Sequence, residues 1–271
     1  MLLKSFQYIG VFKDAVREVM FAEPSTLAKL PNLNTIWRNV IAAAVSQRFP
    51  KLTSALSDSL INELTPIARE YYYSGMQYRL TIDGYDSQTD YVTFREEYQV
   101  TINAHPTEQI SYKFVLFGEW PESLEVAPYE ITLLRVNSSD CLNKVALEGN
   151  RGASTIRLGY EIPLSGSETF VVVRTMRRSQ CLASDPFLQI SSTRFSVGLE
   201  MTIENRVSDQ VDWKHLPIGV GEEDMKDEPL GPNVRRLRLE RLIFPRQGIT
   251  LVFVRHPNMR AAVPGAAAGS A

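Results

Sequence analysis

The chain has 271 residues, 44% hydrophobic and 22% charged, with 29 basic against 31 acidic side chains. That composition suits a globular core of one large or two small domains, so disulfides or metals are not needed as staples. A formal net charge of −2 excludes bulk attraction to nucleic acid or anionic lipid and leaves only local patches for such work.

Residues 1 to 75 read as helical. Val11, Ala15 and Val19 recur at helical spacing beside Phe12, Val16 and Met20. Glu23-Pro24-Ser25 ends that run, and Asn34 is a suitable N-cap for a second through Ile36, Trp37, Val40, Ile41, Ala44 and Val45. A third carries Leu52, Leu56, Leu60 and Leu64 at i, i+4 spacing before Pro66.

Gly75 marks a shift to strand patterning. Segments at Met76–Ile82, Tyr91–Ile102, Ile110–Phe117, Tyr129–Val136, Thr155–Ile162, Glu168–Met176 and Thr193–Ile203 alternate or run apolar. The stretch 204–233 reads as a polar loop. Val234–Val254 then reads as a hairpin turning through Pro245-Arg246-Gln247-Gly248, because proline presets a turn φ and glycine accepts φ > 0. The expected fold class is therefore α+β: an N-terminal helical segment (1–75) and a mainly antiparallel β-sandwich of nine or ten strands (76–257). A low-complexity AAVPGAAAGSA ending reads as a disordered tail (258–271). No apolar run reaches the length of a membrane helix and no secretory signal is evident, so the expected location is cytoplasmic.

Motifs for chemistry are sparse. The three histidines, His105, His215 and His256, form no metal-binding spacing, and no cofactor is implied. Cys141 and Cys181 read as reduced thiols rather than a pair. Ser165 sits in a turn instead of a nucleophile elbow, and Gly149-Asn150-Arg151-Gly152 lacks the phosphate-loop pattern. Glu96-Glu97 and Glu222-Glu223-Asp224 read as solvated acids.

Two charge blocks stand out. Glu222, Glu223, Asp224, Asp227 and Glu228 face a single Lys226, whereas Arg235, Arg236, Arg238, Arg241 and Arg246 face a single Glu240. The plain account is mutual neutralisation across one surface. The functional account makes Arg235, Arg236, Arg238 and Arg241 a receptor for a carboxylate or phosphate, with residues 222–228 as a lid. Aromatic Trp37, Tyr71, Tyr72 and Tyr73 form a candidate partner-binding set near the expected helix-to-sheet junction.

The leading expectation is a non-catalytic recognition or assembly protein, an adaptor or scaffold that binds a protein partner or a second copy of itself through the helical arm and sandwich loops. The alternatives are a sensor of an anionic small molecule or nucleotide, and an enzyme with an unrecognised site. Nucleic acid is the weakest partner class, since the pI is near 6.0.

Overall fold

The computed structural model describes residues 71–107 and 109–256. The expected helices of residues 1–70 and the tail 258–271 lie outside the described residues. Within them the fold is nearly all β, which corrects the α+β expectation: there are fourteen strands, and the helical content is two three-residue 3-10 turns, Leu142–Lys144 and Glu222–Asp224.

The strands are β1 Tyr71–Asp86, β2 Tyr91–Ala104, β3 Ile110–Gly118, β4 Tyr129–Val136, β5 Ser139–Asp140, β6 Ala146–Glu148 and β7 Ile156–Leu164. They continue as β8 Thr169–Cys181, β9 Phe187–Ser191, β10 Ser196–Asn205, β11 Val211–Ile218, β12 Met225–Gly231, β13 Val234–Ile243 and β14 Gly248–Arg255. An eight-stranded sheet has the order β12-β13-β10-β1-β2-β8-β4-β5, and two three-stranded sheets run β11-β14-β9 and β3-β7-β6. Pairing is antiparallel except between β1 and β10, which run parallel from Tyr73 opposite Ser196 to Ile82 opposite Asn205.

Gly75 is a bulge inside β1 rather than a domain boundary. Its φ of +59° lets the register slip between Ser74 and Gln77. The slip moves the inward set from Tyr71 and Tyr73 to Met76, Tyr78, Leu80 and Ile82 without turning the strand over. Tyr71–Gly75 is therefore strand, where the sequence pattern suggests the end of a helical segment.

One face of the large sheet is the core face. Leu80, Ile82, Val92, Phe94, Val100, Ile102, Leu134, Val172 and Met201 are buried there. Both small sheets contribute to the same core, through Tyr112, Ile156 and Leu158 on one side and Leu188, Ile249 and Leu251 on the other. Phe94 of the large sheet meets Phe253 of β14 with ring centroids 4.8 Å apart.

The expected hairpin is not formed. β13 pairs with β10 and β12 in the large sheet, whereas β14 pairs with β11 and β9 in a small one. The Pro245–Gly248 turn is thus a corner between sheets, with Arg246 at φ +70°. The expectation that the apolar β14 is covered on both faces is not met: Ile249, Leu251 and Phe253 are buried on its core face, while Val252 is half-buried and Val254 exposed on the other. The stretch 204–233 is not a loop but contains β11 and β12. β12 is largely polar, held by backbone pairing and ion pairs, so hydrophobic periodicity carries no trace of it, whereas β11 does alternate, with Val211 buried and Trp213 half-buried between exposed Asp212 and Lys214.

Gly248 of β14 faces Ser191 of β9, and a Cβ there would lie 2.1 Å from the Ile190 carbonyl oxygen and 2.8 Å from Ser191 Cα. Backbone cannot yield as a flexible side chain does. Gly248→Ala should therefore lower stability by about 1–3 kcal/mol, the usual cost of overpacking, read as a fall in the urea midpoint. An unchanged midpoint would contradict this packing.

Candidate functional site

The two small sheets cover the core face separately and leave a cleft of about 270 Å³ between them. Its walls come from Tyr112 through Leu116 of β3 and from Leu188 through Thr193, the end of β9 and the turn beyond. Side chains of one strand alternate between faces, so runs of consecutive residues line a space only where the strand's edge faces it. Each of these edges is unpaired: among the described residues, β3 pairs only with β7 and β9 only with β14.

The floor belongs to the large sheet. Glu96 and Tyr98 come from β2, and Arg174, Met176 and Arg178 from β8, with Arg174 opposite Tyr98 and Met176 opposite Glu96. Glu96 is only 3% exposed and Arg174 only 6%. The Arg174 guanidinium lies 3.8 Å from the centroid of Phe114 and 5.2 Å from that of Tyr98, so aromatic rings from two sheets hold its plane. Arg178 pairs with Asp185 at 3.6 Å and lies over Tyr129. Glu96 Oε1, Arg174 Nε and Arg178 Nε are buried without a hydrogen-bond partner in the structure.

This environment acts on the tyrosines. Burial, followed by the Glu96 carboxylate facing its hydroxyl, pushes the Tyr78 pKa well above the ordinary phenol value. Tyr73, Tyr98 and Tyr112 are raised as well, with burial the largest cause in each. Burial opposes the charge of Arg174, but the acidic groups of Tyr160, Tyr112, Glu96 and Tyr78 together hold its pKa above the usual arginine range.

Glu96 was expected on a solvated face beside Glu97. Only Glu97 is solvated; Glu96 shares strand parity with Phe94 and Val100, both fully buried. Arg174 likewise shares parity with Phe170, Val172 and Met176. A charge on the apolar parity of a strand was the readable signal.

The arginine strand lies elsewhere, at the far side of the large sheet. Arg235 Nε donates to Asp227 at 3.0 Å, Arg236 lies 3.5 Å from Glu200, Arg238 pairs with Glu228 and Arg241 with Asp224. Lys226 pairs with Glu240. Hydrogen bonding to Glu228 raises the Arg238 pKa, and hydrogen bonding to Lys226 lowers that of Glu240. Arg236 and Arg238 share a face; Arg235 takes the opposite parity and lies over Trp213. Of the suggested lid 222–228, residues 222–224 form a 3-10 turn and 225–228 belong to strand β12, laddered onto β13.

Tyr71 and Tyr73 are buried in β1 and Tyr72 is exposed on its other face, while Trp37 lies outside the described residues. His215 lies 3.6 Å from Asp227, His105 bonds Thr107, and the backbone N–H of His256 donates to Gln210. Both cysteines are free thiols. Among the described residues, no group of three or more His, Cys, Asp or Glu side chains could hold a metal ion, and no helix is long and apolar enough to cross a membrane.

Two consequences can be measured. Arg174→Met should destabilise the fold by about 1–3 kcal/mol because it removes a buried cation whose charge acts on Glu96, and adding Glu96→Gln should recover part of that loss; strictly additive effects would show that the two charges do not sense each other. In alkali, the unfolded chain ionises its tyrosines near pH 10 while the folded chain holds these protons. Stability is therefore complete below about pH 10 and falls above it. Tyr85, pushed up to about 12 by burial and its bond to Asp90, should follow the same trend in tyrosinate absorbance. Full ionisation of the folded protein at ordinary phenol pKa would contradict it.

No family model matches the chain, and no curated protein matches it. Among solved structures it is similar to a proposed nutrient-binding protein from Legionella pneumophila, with 8% identity over 68% of this chain and 66% of that one, at a TM-score of 0.42. A proposed protease from Parabacteroides distasonis shows 11% identity over 69% of this chain and 41% of that one, at 0.40. Leukotriene A4 hydrolase from Saccharomyces cerevisiae shows 11% identity over 69% and 29%, at 0.38. The chain spans less than two thirds of each of these proteins, and at TM-scores below 0.5 the likenesses carry no functional argument.

Proposed function

We propose that residues 71–256 form a non-catalytic recognition domain that receives an extended segment of a protein partner, added as a strand in the cleft between β3 and β9. The observation that carries this reading is the pair of unpaired strand edges lining one cleft. An open edge presents a row of backbone donors and acceptors, and a peptide strand satisfies them with main-chain bonds.

The edges are only partly blunted, with Gln180 Nε2 donating to the Phe187 carbonyl of β9 at 2.8 Å. On β3 the outward positions include Val115 and Phe117, 41% and 63% exposed, and Phe187 opens β9 at 51%. The one lysine on β3, Lys113, is tied to Glu161 at 2.9 Å. Exposed apolar side chains beside an open edge favour association.

Selection of displayed random peptides on the full chain tests the reading. Enriched peptides should alternate apolar residues. Their binding should fall by about tenfold or more, the equivalent of ~1.4 kcal/mol, in Val115→Lys combined with Gln189→Lys, since lysines blunt both edges. Leu216→Lys, on β11, should leave binding unchanged. Failure to enrich any peptide, or binding indifferent to the two cleft lysines, would refute strand addition.

A further inference from the structure

Glu96 and Arg174 line the same floor, both more than nine-tenths buried, yet among the described residues no ion pair within 4.0 Å joins them. Glu96 Oε1 and Arg174 Nε have no hydrogen-bond partner there, although the Tyr78 hydroxyl faces the Glu96 carboxylate and two rings meet Arg174, and a buried polar atom left so calls for a partner of the right polarity. Arg174 supplies donors only; a Glu96 carboxylate supplies acceptors only.

Resting on the strand-addition reading, we propose that the floor recognises the side-chain carboxamide of a glutamine or asparagine carried by the bound segment. A carboxamide is the side-chain group that offers an acceptor oxygen and a two-donor nitrogen in one plane without net charge. Its oxygen accepts from the Arg174 guanidinium and its nitrogen donates to the Glu96 carboxylate. The stack of Arg174 on Phe114 at 3.8 Å sets the plane in which the oxygen is met.

Charge balance selects against the alternatives. Arg178 is neutralised by Asp185, at 3.6 Å, which leaves Arg174 and Glu96 as an equal and opposite pair. A carboxylate on the segment would gain Arg174 and oppose Glu96. An ammonium would do the reverse. An aliphatic side chain would take water from both charges and replace none of its bonds. Discrimination of this kind comes as much from the penalties as from the fit.

The test uses the full chain and the peptides enriched on it by display. A glutamine or asparagine should recur at one fixed position. Replacing it by Glu, Lys or Met should weaken binding by about tenfold or more in each case. In Glu96→Gln the preference at that position should move toward Glu, because Arg174 then lacks a counter-charge; in Arg174→Gln it should move toward Lys. The ranking on the unaltered protein does not depend on either variant folding. Enriched peptides with no carboxamide preference would overturn this inference and leave strand addition standing. A carboxamide preference that persists in correctly folded Glu96→Gln and Arg174→Gln would also overturn it. No enriched peptide at all would overturn both.

Discussion

The structure depends on how one large apolar face is covered. Eight strands, curved by twist, present Leu80, Ile82, Phe94, Val100, Ile102 and their neighbours on one side. Burying that face is the dominant favourable term for a chain of this composition. The cover is split between two sheets of three strands, and a split cover has a seam. At the seam the large sheet cannot meet an apolar layer directly above it. Polar groups are tolerated there, and this is where Glu96, Arg174 and Arg178 are found.

Elsewhere charge is spent differently. The acidic β12 and the arginine-rich β13 neutralise one another along a ladder, and the sheet ends there as an edge of paired charges. Exposed pairs of this kind add little stability but keep an edge polar. On the open face of the large sheet the same holds, with Arg79 on Glu204 at 3.0 Å and Arg206 on Asp83 at 2.9 Å. The seam is the contrast: its floor charges are buried, and beside the Lys113–Glu161 pair its strand edges carry exposed Val115, Phe117 and Phe187. The proposed recognition role rests on that contrast rather than on any single residue.

Much of the β architecture was legible from alternation. Tyr91–Ile102, Ile110–Phe117 and Tyr129–Val136 match β2, β3 and β4 to within a few residues. What escaped did so for physical reasons. β12 owes its place to a backbone ladder and cross-strand charges, which leave no apolar period, and in β11 the alternation of Val211 and Trp213 with Asp212 and Lys214 is too short to stand out. Gly75 looks like a boundary because parity breaks there, yet a bulge breaks parity within one strand. Pro245–Gly248 has hairpin chemistry, but local turn chemistry does not say whether the next strand stays in the same sheet. The cleft was partly readable, since Glu96 and Arg174 each occupy the apolar parity of a strand. That their strands are neighbours, and that two edges flank them, is information held only by the topology.

Amide hydrogen exchange on the free full-length protein tests the open seam most directly. Alternate amides of β3 and β9, those aimed away from β7 and β14, should exchange as freely as loop amides, while the amides that bond across those ladders stay protected. Uniform protection along both strands would mean that the edges are already paired, and the account of the cleft would fail with them.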